Sequence, residues 1–260
     1  MKRCFWFLIL NLVCVFGLFS QIVINEYSAA NYSAFVDNYG EYEDWIELYN
    51  TASNPVDING WYISDKSSNP TKWSVPGSFV VPGNGVVLLF CSGRDELIGG
   101  NAHTNFKITQ TKNNETIIIT DAAGVFQDSV QVIPNQESHS RGREVNGSVV
   151  WSVFVSATPG ANNSNAMQEY EATPVFSQNP GYYSAPINLA INSPNPNTTI
   201  YYTTNGDSPD NTSNVYSGPI NIATTSVVKA IAYNNNQSIP PSFIEYNTFF
   251  INDTHTIPIL

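Results

Sequence analysis

Apolar residues recur along this chain in short runs and at every second position. In the first part the clearest are Ile22-Val23-Ile24, Trp45 to Tyr49, Trp61-Tyr62-Ile63, Val86 to Phe90, Thr116 to Thr120 and Val149 to Val153. Turn-forming clusters separate them: Asn54-Pro55, Asn59-Gly60, Ser68-Asn69-Pro70, Pro82 to Gly85, Asn113-Asn114 and Ala123-Gly124. No stretch carries helical spacing. Short strands punctuated in this way predict an all-β sandwich or barrel. Within Trp45-Ile46-Glu47-Leu48-Tyr49, alternation puts Ile46 and Leu48 on one face and Trp45, Glu47 and Tyr49 on the other. Asn59-Gly60 supplies a turn, since both residues tolerate positive φ. Trp61 can bury its ring, and Asn25, Glu26 and Asp44 can tie strand ends through bonds to backbone N–H groups.

A second strand series follows: Ile187 to Ile191, Thr199 to Thr203, Val227 to Ala232, and a last one near Phe249 to Ile251. Between the two series, Thr158 to Asn165 is small, polar and turn-prone, with no apolar anchor, and reads as a linker. The pattern divides the chain into a leader (1–20), a first sandwich (21–163), a connector (164–172), a second sandwich (173–251) and a tail (252–260).

The leader is a signal peptide by layout. Met1-Lys2-Arg3 is positive, Phe5 to Phe19 is apolar except for Asn11, and the small Ser20 precedes Gln21. The apolar run falls short of the roughly 20 residues a spanning helix needs. A lipoprotein signal at Cys14 would want a small residue before it, where Val13 stands. Cleavage after Ser20 places the mature chain outside the cell, secreted or at the cell surface, with no membrane insertion. It also removes Cys4 and Cys14. Cys91 is then left alone, without an internal disulfide, and reads as a buried thiol at a strand end.

Only 12% of the residues are charged, about half the usual quarter. The polar share is carried by 32 Asn and other uncharged groups, as suits turns and loops. Net charge is -11, and loss of Lys2 and Arg3 makes it -13, spread over both halves. A chain this acidic has no basic stripe for nucleic acid or an anionic membrane surface.

Particular motifs carry two resemblances. Ile24-Asn25-Glu26, Asp44 to Asn50, Asp57 to Asp65, Val81-Pro82-Gly83, Glu115 to Asp121, Asp128-Ser129-Val130, Ser138 to Arg141 and Thr158 to Asn162 stand in order. This series resembles the lamin-tail domain over residues 21–163. The resemblance implies an immunoglobulin-like β-sandwich, of a kind found in nuclear lamins and secreted bacterial proteins. Ile200-Tyr201-Tyr202-Thr203-Thr204-Asn205-Gly206-Asp207-Ser208-Pro209 with Tyr216 to Ile220 is similar to the small sandwich that ends chitobiases and β-hexosaminidases. That module is not their catalytic part, so no glycosidase activity is implied. Together they give two consecutive immunoglobulin-like β-sandwiches. In secreted bacterial proteins such a pair often precedes a spore-coat-type, kinase-like domain of the CotH family. The apolar end Thr256 to Leu260 is similar to the start of that domain, so the chain is expected to be the N-terminal part, or a truncated relative, of such a protein.

Catalytic constellations are not evident. His103, His139 and His255 lie in no metal spacing, and Ser138-His139-Ser140 reads as a surface loop without a nucleophile elbow. The acidic run Asp37, Glu41, Glu43, Asp44, Glu47 is the densest charge feature. It reads as a solvated loop, with Asp44 and Glu47 in structural bonds. Two chemistries compete with that reading. Asp37, Glu41, Glu43 and Asp44 would serve as Ca²⁺ ligands, and paired carboxylates serve glycoside hydrolysis. Tyr182, Tyr183, Tyr201 and Tyr202 form adjacent pairs, so one ring of each pair faces out if both lie on strands. An outward ring can stack on a sugar, and ordinary sandwich packing is the competing use. The expected function is a non-catalytic secreted or cell-surface scaffold or adhesion segment, presenting a protein partner or a downstream domain. The alternative is a carbohydrate-binding accessory region that contacts a cell-surface glycan.

Overall fold

A computed structural model describes residues 20–253. The leader up to Phe19, together with His255 and the apolar end, lies outside the described residues. Among the described residues there is no helix, and therefore none long and apolar enough to cross a membrane. The first sandwich contains β1 (Ile22–Ser28), β2 (Trp45–Asn50), β3 (Val56–Asp57), β4 (Tyr62–Ser64), β5 (Trp73–Ser74), β6 (Val80–Val81), β7 (Val86–Phe90), β8 (Glu96–Ile98), β9 (Asn101–His103), β10 (Thr116–Thr120), β11 (Phe126–Gln131), β12 (Ser140–Arg143) and β13 (Trp151–Phe154). The second contains β14 (Val175–Phe176), β15 (Gly181–Tyr183), β16 (Ile187–Leu189), β17 (Ile191–Asn192), β18 (Thr198–Thr203), β19 (Asn214–Val215), β20 (Ile220–Ile222), β21 (Ser226–Asn234) and β22 (Glu245–Ile251).

In the first unit a seven-stranded sheet, β13-β12-β1-β2-β7-β9-β8, packs on a four-stranded sheet, β11-β10-β4-β5. Alternation places Ile46 and Leu48 of β2 in the shared core with Ile22, Ile24, Ile63, Trp73, Ile117 and Ile119. Burying a side chain of this kind contributes roughly 1.5–3 kcal/mol. Cys91 is a free, buried thiol whose burial pushes its pKa up. The opposite face of β2 is not solvated: Trp45 and Glu47 are fully buried there, and only Tyr49 is half-exposed. The register of β1 against β2 shifts between Ile24 and Glu26, so Asn25 is an extra residue in a bulge. At the Asn59-Gly60 turn only the glycine takes positive φ.

In the second unit a five-stranded sheet, β15-β22-β21-β18-β19, faces two short pairs, β14-β17 and β16-β20. Its core is small and divided: Leu189, Ile222, Val228, Phe249 and Ile251 in one cluster, Ile191, Ile200, Ala230 and Ala232 in the other.

The segment expected to be a free linker is bonded down. Thr158 donates its N–H and its hydroxyl to the Glu26 carboxylate, at 3.0 and 2.5 Å. Gly160 N–H reaches Glu47 Oε2 at 2.7 Å, and Asn163 is buried. Polar groups supply the anchor that the missing apolar residues suggested was absent. Beyond it, Met167 bridges to Val153, Gln168 N–H donates to Ser238 O, and Glu171 N–H donates to Pro240 O. The connector is thus held by both sandwiches.

Candidate functional site

Three places gather the residues that the sequence singles out. The first is the outer face of β1, β2 and β12. Asn25 donates to Glu47 Oε1 at 2.8 Å and to Asn163 Oδ1 at 2.9 Å, while its own Oδ1 accepts Gly147 N–H at 3.0 Å. Ser140 donates to Glu26 Oε1 at 2.5 Å. Ser140 is therefore a buried strand residue and not part of a surface loop. His139, half-buried, bonds the Tyr170 hydroxyl at 2.9 Å, so the Ser138-His139-Ser140 triplet points its members to separate partners. Burial raises the pKa of Glu26, against the bonds from Ser140 and Thr158, and pushes Glu47 up to about 8. The Asn25-Glu26, Glu47 and Thr158-Pro159-Gly160 blocks, far apart in sequence, converge here. The network of Asn25, Glu26, Glu47, Ser140 and Thr158 is closed on itself, which suits fold specification.

The second place is the acidic loop after β1. Arg94, from the turn between β7 and β8, reaches Asp37 Oδ2 at 3.3 Å, Glu41 Oε2 at 3.0 Å and Glu43 Oε1 at 3.4 Å. The Tyr39 ring lies 4.5 Å from its guanidinium carbon. Lys107 takes the other Glu43 oxygen at 2.9 Å. Asp37 further accepts the N–H groups of Tyr39 and Glu41, closing its own turn. Asp44 stands apart. It accepts Asn31 N–H at 3.0 Å, ties that strand end as expected, and is pushed up to about 6 chiefly by burial. Three of the four candidate Ca²⁺ ligands thus surround a cation of the chain itself. Among the described residues no group of three or more ionisable ligands is placed to hold a metal. Sequence reasoning missed Arg94 because its partners lie more than fifty residues away.

The third place is the outer face of the second sandwich. Register pairs Tyr182 with Phe250, Tyr246 with Lys229, and Tyr201 with Ile231, so these side chains share one face. Tyr183 and Tyr202 take the other face. Tyr183 packs on the first core cluster and Tyr202 on the second, edge-on to Tyr216. Each pair therefore has one ring in and one out. Tyr182 is 59% exposed and stacks on Phe250 at 4.6 Å, and Tyr246 is 67% exposed. Tyr201 meets Tyr233 edge-on at 5.4 Å. Tyr246 and Phe250 escaped the sequence reading, although the period-2 spacing of Tyr246-Asn247-Thr248-Phe249-Phe250 carries the signal.

Comparison with known families agrees with this architecture. Residues 19–134 match the model of the Lamin Tail Domain, and residues 178–241 match that of the Chitobiase/beta-hexosaminidase C-terminal domain. The first unit is thus similar to a lamin-tail domain and the second to a chitobiase-type C-terminal domain, and both families are immunoglobulin-like modules of a generally non-catalytic kind. The strands β12 and β13, beyond the first match, complete its seven-stranded sheet. A search of curated proteins finds no match.

Proposed function

We propose that this chain is an exported, non-catalytic scaffold segment whose two sandwiches present a partner or a following domain at a fixed angle from the cell surface. The clamped connector carries this reading. Arg141 of β12 grips the Glu169 carboxylate at 2.6 and 2.7 Å, and Tyr170, beside it, bonds His139 and Gln136 of the first sandwich. Gln136 in turn donates to Pro241 O and Ser242 O of the second, at 2.8 and 3.0 Å. A flexible tether would need none of these bonds. Export rests on the charged start, apolar run and small residue at the N-terminus. The tests are direct. N-terminal sequencing of protein recovered outside the cell is expected to begin at Gln21, and small-angle scattering of that protein should fit one rigid two-unit shape. Turnover of chitobiose analogues would overturn the non-catalytic reading.

A glycan-contact role for the second sandwich is the second reading. It is supported by the exposed Tyr182 on Phe250, with Tyr246 on the same face, since a flat aromatic surface suits the C–H face of a sugar ring. A glycan array on the chain from Gln21 tests it. Binding that disappears in Tyr182→Ala is the expected result, and an array without signal removes the reading.

A further inference from the structure

A cleft of about 440 Å³ opens where the two sandwiches meet. That size is within the roughly 300–1,000 Å³ of small-molecule sites, which favour domain junctions. Ala30 from the first sandwich and Ile231, Phe243 and Ile244 from the second give it an apolar lining. Tyr32 adds an aromatic wall and is 67% exposed.

The polar lining has a particular character. Gln110 and Asn135 contribute amides, and Glu137 is the one charged residue in the lining. Asn135 is 1% exposed, yet its Oδ1 has no hydrogen-bond partner among the described residues. Its backbone N–H is taken by Gln110 Oε1 at 2.6 Å, and its Nδ2 has only a 3.4 Å contact with His139 O. An unpaired buried acceptor is costly, and so loosely held an amide can turn its oxygen to a ligand donor. The cleft is also fixed in shape. Gln136 bonds across it, and Tyr170 packs edge-on against Phe243 at 5.0 Å.

A ligand for this site cannot be an anion, because the one charged residue in the lining is Glu137 and no cation is present to balance a second negative charge. It has to offer an apolar face to Tyr32 and Phe243, and O–H or N–H donors to amide oxygens. A neutral sugar ring has this combination. We propose that the cleft between the sandwiches binds a neutral saccharide unit, its ring face against Tyr32 and Phe243 and its donors toward Asn135 and Gln110. The proposal shares only its ligand class with the glycan-contact reading, and places the contact at the junction instead of the open sheet face.

The test is a titration of the ¹⁵N-labelled chain from Gln21 with cellobiose, chitobiose, lactose and maltose, followed through the side-chain amides of Gln110 and Asn135. One of these sugars is expected to shift both amides saturably. Its affinity should drop at least tenfold in Tyr32→Ala and stay unchanged in Tyr182→Ala. Asn135→Leu, which removes the acceptor, should also weaken it. If that buried variant fails to fold, Tyr32→Ala, at an exposed side chain, still decides. Binding lost in Tyr182→Ala but kept in Tyr32→Ala overturns the cleft and leaves the sheet-face reading standing. Amide shifts from a short apolar peptide and from none of the sugars overturn it too. Silence from all four sugars overturns the cleft alone when the glycan array gives a Tyr182-dependent signal, and both readings when it does not.

Discussion

Glu26 and Glu47 face each other directly across β1 and β2, and neither exposes any surface. Two carboxyl groups so placed cannot both ionise cheaply. Every bond the structure gives them comes from a donor: Ser140, Thr158, Asn25 and Gly160. Those donors lower both pKa values, and burial outweighs them, so both end up raised. The folded state therefore keeps protons that the unfolded chain releases near the ordinary carboxylate value.

The sign of the pH dependence follows. A carboxyl raised in the fold contributes stability that is complete below its ordinary value of 4.5 and is lost as pH rises toward about 8 for Glu47. Asp44, raised to about 6, acts the same way over the lower part of that window. His103 and His139 are lowered by burial and act oppositely, losing stability as pH falls below 6.5. A variant comparison isolates the glutamate. Glu47→Gln cannot titrate but gives up one acceptor, so it should melt below the parent at pH 5. The gap should close or reverse by pH 9. A gap constant from pH 5 to 9, read by calorimetry, would sink this account.

Gly142 passes close beneath the same network. A Cβ there would sit 2.9 Å from Glu26 Cγ and 3.0 Å from both Asn163 Nδ2 and Asn25 O. Gly142→Ala should cost about 1–3 kcal/mol by overpacking. Asn163→Ala should cost about 1–3 kcal/mol, because the carbonyl of Arg143 and the amide of Asn25 lose a buried partner. Both residues touch one cluster, so the double variant should lose less than the sum. Urea unfolding of the three variants measures this, and strict additivity would argue against a shared network.

The strand series, the split into two units and the inward direction of Ile46 and Leu48 were legible because period-2 alternation is local. The face carrying Trp45 and Glu47 was not. Glu47 is covered by Thr158 to Asn163, more than a hundred residues on, through hydrogen bonds that leave no hydropathy signal. For the same reason a polar, glycine-containing stretch read as a linker when it is a cap. One ring in and one out at each tyrosine pair was legible from strand geometry. The Tyr32 and Asn135 cleft was not, because it exists only where two separately folded surfaces meet.

Arg94 stands where a cation would otherwise be needed. Its bond to Glu41 runs between charges that solvent reaches and so weakens with salt, while the Asp37 carboxylate that it also holds is buried. Arg94→Gln should lower the melting temperature at low ionic strength, and the difference should shrink as salt is added. Millimolar Ca²⁺ or EDTA should leave the parent's melting temperature unmoved. Ca²⁺ should raise that of Arg94→Gln, whose freed carboxylates want a counter-ion. A parent stabilised by Ca²⁺ would restore the acidic loop as a native metal site.

The guanidinium of Arg141 ties the first sandwich to the connector. It takes both Glu169 oxygens, two bonds to Pro134 O, and lies 5.4 Å from the Tyr170 ring. Its partner is largely exposed, which discounts the ion pair toward the surface range of about 0–1 kcal/mol. The part-buried bonds to Pro134 O and the ring contact remain, so Glu169→Gln should have a small effect and Arg141→Met a larger one. Loss of its hold on Glu169 and Tyr170 should weaken the coupling of the units, which the bonds of Gln136 to Pro241 O and Ser242 O are then left to carry. The parent is expected to melt in one transition, and Arg141→Met in two, with the second sandwich and its divided core unfolding first. Proteolysis should then cut Arg141→Met within residues 164–172 and spare the parent. Two transitions already present in the parent would mean that the clamp holds the sandwiches in place without making them fold as one.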